Sequence, residues 1–310
     1  MSGTVDAVTL IDRIERTTGV PGLAGLLADL APADLRSLLL DVTRQQAAKL
    51  TPAQVLAQYK RDRFTGVATV DPGVHADYDL FAFRTLRERG YTPVELSPVS
   101  PLGTVSVLTG MDQNRVIATA RGTEVTADST NALALESAVR RSGREPVRLC
   151  ASHRLVRAQP FPEGWSSHFR LLALTVAGRD EGSFRFETDS LRAQLGAMVA
   201  LTEHLADVQV LVTVLDESRR DAVAERVIGP LGDEFPQVKV GFDDERQQGR
   251  GYYADACFEV KAGDVSLADG GFTTWTQQLL GNAKERLLTG GLGVDLMHAR
   301  FGPRRADLYP

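Results

Sequence analysis

Cysteine is close to absent. Cys150 and Cys257 are the only thiols in 310 residues, too few for a four-thiolate zinc site or a disulfide framework. Each sits in a strand-like run, Arg148-Leu149-Cys150-Ala151 and Ala256-Cys257-Phe258-Glu259-Val260, so both are read as buried free thiols in a reducing compartment. No apolar run approaches the roughly 20 residues of a membrane span. The start, Met1-Ser2-Gly3-Thr4-Val5-Asp6, lacks the basic region and apolar core of an export signal. A cytoplasmic protein with no membrane partner is expected. A basic excess is missing too: 35 Lys and Arg stand against 40 Asp and Glu, for a net charge of −5, which argues against an extended nucleic-acid surface. The short clusters Arg140-Arg141-Ser142-Gly143-Arg144 and Arg300-Phe301-Gly302-Pro303-Arg304-Arg305 read as solvated loop charge. His75, His153, His168, His204 and His298 have no ligand spacing, so no metal site is expected.

Signature motifs are equally scarce. No phosphate-binding Gly-Lys-Ser, Gly-x-Ser-x-Gly elbow or His-Glu-x-x-His helix occurs. Gly249-Arg250-Gly251-Tyr252-Tyr253-Ala254 carries the letters of a dinucleotide fingerprint, but no strand feeds it and strand-like residues follow.

What is present is an ordinary globular composition, 43% hydrophobic and 24% charged, enough for a large core. Residues 1–70 are helical in pattern: Val8, Leu10, Ile11 and Ile14, then Leu35, Leu38, Leu39 and Val42, recur at helix spacing. Thr51-Pro52 opens a further helix with Val55, Leu56 and Tyr59 on its apolar face. Residues 64–75 read as a linker, and a core domain is expected over 77–310. There the pattern predicts a helix over 78–89, an extended run over 92–98, and a hairpin of 105–108 with 116–120. Asp128-Ser129-Thr130 caps a helix with Leu133, Leu135 and Val139. Stretches 147–158 and 168–177 form a long hairpin around Pro160-Phe161-Pro162-Glu163-Gly164-Trp165. A helix over 191–206, strands at 208–214, 238–240, 253–260 and 265–267, a break at Gly270-Gly271, a helix over 274–280 and a last helix entered through Gly290-Gly291 complete the chain. Antiparallel strands with intervening helices make the fold class α+β.

Four blocks, in this order, resemble the catalytic core of class II aminoacyl-tRNA synthetases, the histidyl branch in particular. Residues 81–97 with Pro98 are similar to the family's first motif, a helix entering a strand that ends in proline at the dimer interface. Val156-Arg157-Ala158-Gln159 resembles the Phe-Arg-x-Glu of the second motif, and Phe169, twelve residues after Arg157, resembles the Phe on its return strand. Arg250-Gly251-Tyr252-Tyr253, Phe258-Glu259 and Ala268-Asp269-Gly270-Gly271 resemble the histidyl Arg-Gly-Leu-Asp-Tyr-Tyr, Phe-Glu and Gly-Gly-Gly, two residues short before the tyrosines. Gly291-Leu292-Gly293-Val294-Asp295-Leu296 is similar to the Gly-Leu-Glu-Arg opening of the third motif. The blocks span about residues 77–302 and imply an antiparallel sheet flanked by helices, with the N-terminal helices as a preface.

The resemblance also implies a site. Arg157 would hold an α-phosphate, Phe169 would stack on adenine, and Arg250 would meet developing charge. Asp128 and Thr130 would face an ammonium group, with Gln159, Tyr252 and Tyr253 completing the ligand pocket. For Asp128 a plain helix N-cap is an equal reading; for Arg157 a buried ion pair is the alternative, and for Arg250 a loop charge with no role. Departures weigh against ordinary adenylation: Trp165 and Leu296 stand where the family has arginines, which removes charge-assisted bonds to a triphosphate. Leu171 and Thr175 replace a Gln and a Glu, so a different ligand, or none, is implied. No anticodon-binding domain fits after the last motif, which disfavours a tRNA partner. The expectation is a non-charging paralogue, comparable to the regulatory subunit of ATP phosphoribosyltransferase: a homodimer that binds an amino acid or nucleotide and serves a partner enzyme. The alternative is a ligase that activates a carboxylate with ATP and Mg2+.

Overall fold

The computed structural model describes residues 9–161 and 165–303. Val8, residues 162–164 of the hairpin loop, and Arg304 and Arg305 lie outside the described residues. The chain divides into two compact units, one of residues 1–61 with 118–123, the other of residues 62–117 with 124–310.

The first unit contains α1 (Leu10–Thr18), α2 (Leu23–Ala28), α3 (Pro32–Ala47) and α4 (Pro52–Tyr59). Local chemistry sets their ends. Thr9 and Asp12 form a reciprocal capping box on α1, Thr51 and Gln54 do the same on α4, and Pro opens both α3 and α4. Gly19, at φ 70°, closes α1 in the left-handed conformation. The helix spacing of Leu10, Ile11 and Ile14 is present, yet none of the four helices has a buried side chain.

The second unit is built on one eight-stranded sheet. Its strands are β1 (Thr92–Pro93), β4 (Val147–Val156), β5 (His168–Arg179), β6 (Val208–Val214), β7 (Lys239–Phe242), β8 (Ala254–Ala262), β9 (Val265–Thr273) and β10 (Glu285–Gly293), in the order β1-β4-β5-β10-β9-β8-β6-β7. Only the edge pairs, β1 with β4 and β6 with β7, are parallel; every interior pair is antiparallel. Two short strands, β2 (Val99–Pro101) and β3 (Thr123–Val125), lie outside this sheet.

Alternation along the strands sends successive residues to opposite faces. Leu172, Leu174 and Val176 of β5, with Phe258 and Leu288, turn toward α8 (Arg185–Thr202) and join Leu191, Leu195 and Met198 in the main core. α5 (Pro72–Glu88) and α12 (Val294–Phe301) pack into the same core. On the other face Leu149 and Ala173 meet Leu133 of α7 (Ser129–Arg140), and Ala177 and Leu287 meet Trp275 of α11 (Trp275–Leu280). α9 (Arg220–Val223), a π turn and α10 (Gly229–Glu234) flank α8.

Several expectations are corrected. Residues 105–108 are not a strand but part of α6 (Thr104–Thr109). Glycines at φ 89° and 70°, Gly103 and Gly110, bracket this helix, and the buried Glu124 carboxylate accepts the Gly103 and Val105 N–H groups at 2.8 and 2.9 Å. A tertiary cap thus overrides the strand preference of Val105 and Val107. The supposed linker over 64–75 ends early, because Asp71 caps α5 and Pro72 opens it. Of the extended run over 92–98 only Thr92–Pro93 forms a strand; beyond it the Val94 N–H still donates to the Cys150 carbonyl at 2.9 Å, and the Pro98 carbonyl turns to accept the Thr126 N–H at 3.1 Å. Gly270-Gly271 and Gly290-Gly291 are not breaks; they lie inside β9 and β10. Both cysteines are buried free thiols within strands, Cys150 in β4 and Cys257 in β8.

Candidate functional site

The sheet face under α7 and α11 is only partly covered, and a cavity of about 550 Å³ opens beside them. Its floor includes a cross-strand row in which Gly291 of β10 lies opposite Asp269 of β9, and Asp269 opposite Glu259 of β8. Glycine makes this floor deep. A Cβ on Gly291 would sit 3.0 Å from Leu171, and one on Gly271 would sit 2.7 Å from the Tyr253 ring. The adjacent glycines face the other way, where a Cβ on Gly270 or Gly290 would lie 2.4 or 2.8 Å from Phe258. Alternation therefore explains the doublets: Gly291 opens the cavity and Gly271 admits the Tyr253 ring, while Gly270 and Gly290 admit the core.

One wall comes from the start of α7 and the end of β4. Asp128 caps α7, its Oδ1 accepting from the Thr130 N–H at 2.9 Å and the Thr130 hydroxyl at 2.8 Å. Its Oδ2 faces Arg157 Nη2 at 3.2 Å, and both side chains remain partly open. Arg157 also donates from Nε to the Ala127 carbonyl at 2.9 Å and stands 5.2 Å over the Phe169 ring. Asn131, one residue further into α7, lines the cavity and is almost wholly buried, its amide facing the Tyr252 hydroxyl.

The opposite wall carries Tyr252, Tyr253 and Arg246. Tyr253 donates its hydroxyl to Asp269 Oδ1 at 2.5 Å, and Arg246 Nη2 pairs with Asp269 Oδ2. Desolvation pushes the Tyr253 hydroxyl well up, with Asp269 adding to the effect. Tyr252 packs edge-on against Tyr253 and Trp275, with ring centres 4.8 and 5.7 Å away. Its hydroxyl is pushed up by desolvation first and by Asp128 second, while Arg157 opposes the shift. Burial is the largest influence and disfavours the Arg246 charge, but Asp269, Cys257 and Tyr253 together outweigh it and hold the guanidinium more firmly protonated. Both tyrosines are thus neutral donors. Among the described residues no group of three or more His, Cys, Asp or Glu is placed to hold a metal ion.

The structure brings Arg157, Asp128, Thr130, Gln159, Tyr252 and Tyr253 to one cavity. Phe169 does not line it but lies under Arg157. Arg250 is not brought in: it is exposed, and its guanidinium donates to the Arg246 and Asp244 carbonyls at 2.6 and 3.3 Å. Arg246 occupies the cavity in its stead. Thr175 is also outside, buried against Ser137 of α7 at 3.2 Å, whereas Leu171 lines the wall. Trp165 is half-exposed, and Leu296 packs against the core beside Gly293. Asn131, Arg115, Arg246 and Asp269 were not assigned from sequence. Asn131 stands next to the capping Thr130, and that adjacency was its only signal.

No family model and no curated protein sequence matches the chain. Solved structures do. A histidyl-tRNA synthetase from Staphylococcus aureus superposes with a TM-score of 0.59 at 13% identity, covering 76% of this chain and 68% of that one. A protein described as an ATP phosphoribosyltransferase regulatory subunit/histidyl-tRNA synthetase from Bacillus halodurans gives 0.58 at 15% identity, covering 76% and 82%. A histidyl-tRNA synthetase from Nostoc gives 0.56 at 14%, covering 77% and 74%. The chain has the class II fold of the histidyl-tRNA synthetases, a large and mostly antiparallel sheet flanked by helices.

Proposed function

We propose that this chain is a non-charging, histidyl-tRNA-synthetase-like paralogue that binds a small zwitterionic ligand of the amino-acid class and acts as a regulatory or accessory subunit. The observation that carries the reading is the Asp128–Arg157 pair, two opposite charges 3.2 Å apart and both partly open to one cavity. An ammonium beside Asp128 and Thr130, with an oxyanion beside Arg157, would be matched charge for charge. The Asn131 amide, beside Tyr252 in the cavity wall, adds polar groups for such a ligand. Trp165 and Leu296 supply no charge for a polyphosphate, and one relative of like fold is described as a regulatory subunit. That description supports a role beside a partner enzyme, and the homodimer is proposed with it.

Calorimetry against a panel of amino acids tests the reading. A ligand is expected to bind the native chain and to lose about tenfold or more in affinity, roughly 1.4 kcal/mol, in Arg157→Ala. Amino-acid-dependent exchange of pyrophosphate into ATP would instead establish the second reading, an adenylate-forming ligase. Arg157 stacked over Phe169 favours that alternative, since a phosphate-binding cation beside an aromatic platform suits a nucleotide. ATP would bring magnesium, and the floor residue for it would be Glu259, because Asp269 already serves Arg246 and Tyr253.

A further inference from the structure

We infer that Arg63 is a positioning residue for this cavity: its guanidinium holds the stem of the β4–β5 hairpin in the bend that presents Arg157 and Gln159 to a ligand. The inference rests on the cavity being a ligand site. The β4–β5 ladder ends where Val156 lies opposite His168, and one further rung, from the Arg157 N–H to the Ser167 carbonyl at 2.9 Å, closes the stem. Beyond that rung Arg63 takes up the carbonyls of the outgoing leg. Its Nη1 donates to the Gln159 carbonyl at 2.8 Å and its Nη2 to the Ala158 carbonyl. One planar fork can serve two successive carbonyls only where the chain leaves the extended alternation, and the backbone bends at Gln159. Arg63 is not among the residues lining the cavity, whereas Arg157 and Gln159 are.

The segment around Arg63 prepares it for this task. The Asp62 carboxylate accepts the Phe64 N–H at 2.8 Å and turns the chain, and the Arg63 guanidinium lies 4.4 Å from the centre of the Phe64 ring. Three residues on, the Gly66 carbonyl takes the return leg: His168 Nε2 donates to it at 2.6 Å, while His168 Nδ1 accepts from Arg154 at 3.1 Å. Residues 63–66 therefore grip both legs at the mouth of the hairpin, the outgoing one just after Arg157 and the return one just before Phe169. A bond from a charged donor is about twice as strong as a neutral one, and a lysine ammonium lacks the planar fork that spans both carbonyls. The grip begins two residues after Arg61, where the first segment of the helical unit ends. The covalent link between the two units thus enters the second at this point.

Hydrogen exchange on the full chain, read by mass spectrometry, tests the grip, and calorimetry with the twenty standard amino acids tests what it does for the cavity. In Arg63→Ala the peptides spanning residues 156–161, whose Arg157 and Ala158 amides bond the Ser167 and Arg115 carbonyls, are expected to exchange about tenfold faster or more, while β8 and β10 keep their native rates. The affinity of whichever amino acid binds the native chain is expected to fall by about tenfold with it. Arg63→Lys is expected to restore neither, since it returns the charge without the fork. Arg61→Ala removes a guanidinium that donates to the nearby Ala57 carbonyl, and is expected to change either reading by no more than about twofold. Native exchange over 156–161 in Arg63→Ala, unchanged affinity despite faster exchange, or full restoration by Arg63→Lys overturns the inference. Faster exchange shared equally by β8 and β10 also overturns it, because Arg63 would then be a general stabiliser. If no amino acid binds the native chain, the zwitterion reading falls by itself, and exchange over 156–161 alone decides whether Arg63 holds the stem.

Discussion

An alanine at Gly270 would place its Cβ 2.3 Å from the Thr289 carbonyl oxygen, a backbone atom of the neighbouring strand that cannot rotate away. Gly270→Ala is therefore expected to cost about 1–3 kcal/mol or more, read as a lower urea midpoint at unchanged slope. Histidine titration acts on the same scale. His153 and His298 are buried, and burial lowers both from the ordinary value of 6.5. The unfolded chain then holds more protons than the native one below that value. The stability they contribute is complete above the unfolded pKa and is lost as pH falls through the lowered folded values. The urea midpoint should drop between about pH 7.5 and pH 5.5, and His298→Phe, which keeps a ring beside Tyr78, should flatten part of that slope. Residue identity made the Asp128, Thr130 and Arg157 group legible in the sequence, since a capping triplet and a strand-borne arginine keep their chemistry in any packing. It could not reveal Arg246 in place of Arg250, because which of two loop arginines turns inward is settled by Asp269 on a distant strand.

Elements whose pattern matches their burial were readable. β4, β5 and β6 alternate or run apolar, and α7 shows helix spacing after a clear cap; α8 shows the spacing too, but it runs Arg185–Thr202 rather than 191–206, because Phe184 supplies no side-chain cap to mark its start. β10 was missed because glycine in Thr289-Gly290-Gly291-Leu292-Gly293 looks like punctuation, although Gly290 and Gly291 are there for close packing that the local pattern does not express. α6 was missed for the complementary reason, its cap lying about twenty residues ahead in Glu124. That carboxylate is fully buried and accepts from two backbone N–H groups and from Gln113 at 2.9 Å. Glu124→Ala would leave one buried and two part-buried donors unpaired and is expected to destabilise the protein by about 2 kcal/mol, read by chemical denaturation. Because Val105 of α6 and Arg115 line the cavity, the same variant should also weaken ligand binding. A purely distant destabilisation would leave binding unchanged in the protein that remains folded.

At the scale of the whole molecule, the two compact units differ in how they hold together. The unit of residues 62–117 and 124–310 has a continuous core running from Tyr78 to Met297, whereas the four helices of the other have no buried side chain and leave Leu10, Leu26, Val55 and Leu56 more than half exposed. The larger unit also carries large exposed apolar residues, Leu102 and Val107 among them. Surface of this kind is hidden when chains associate, and closed symmetry makes a two-fold dimer the commonest way to hide it. Light scattering on the full chain is accordingly expected to give twice the 33.6 kDa chain mass, with the mass independent of concentration above the dissociation constant. A monodisperse particle of single-chain mass at high concentration would remove the homodimer from the proposed function while leaving the cavity and its arginines as they are.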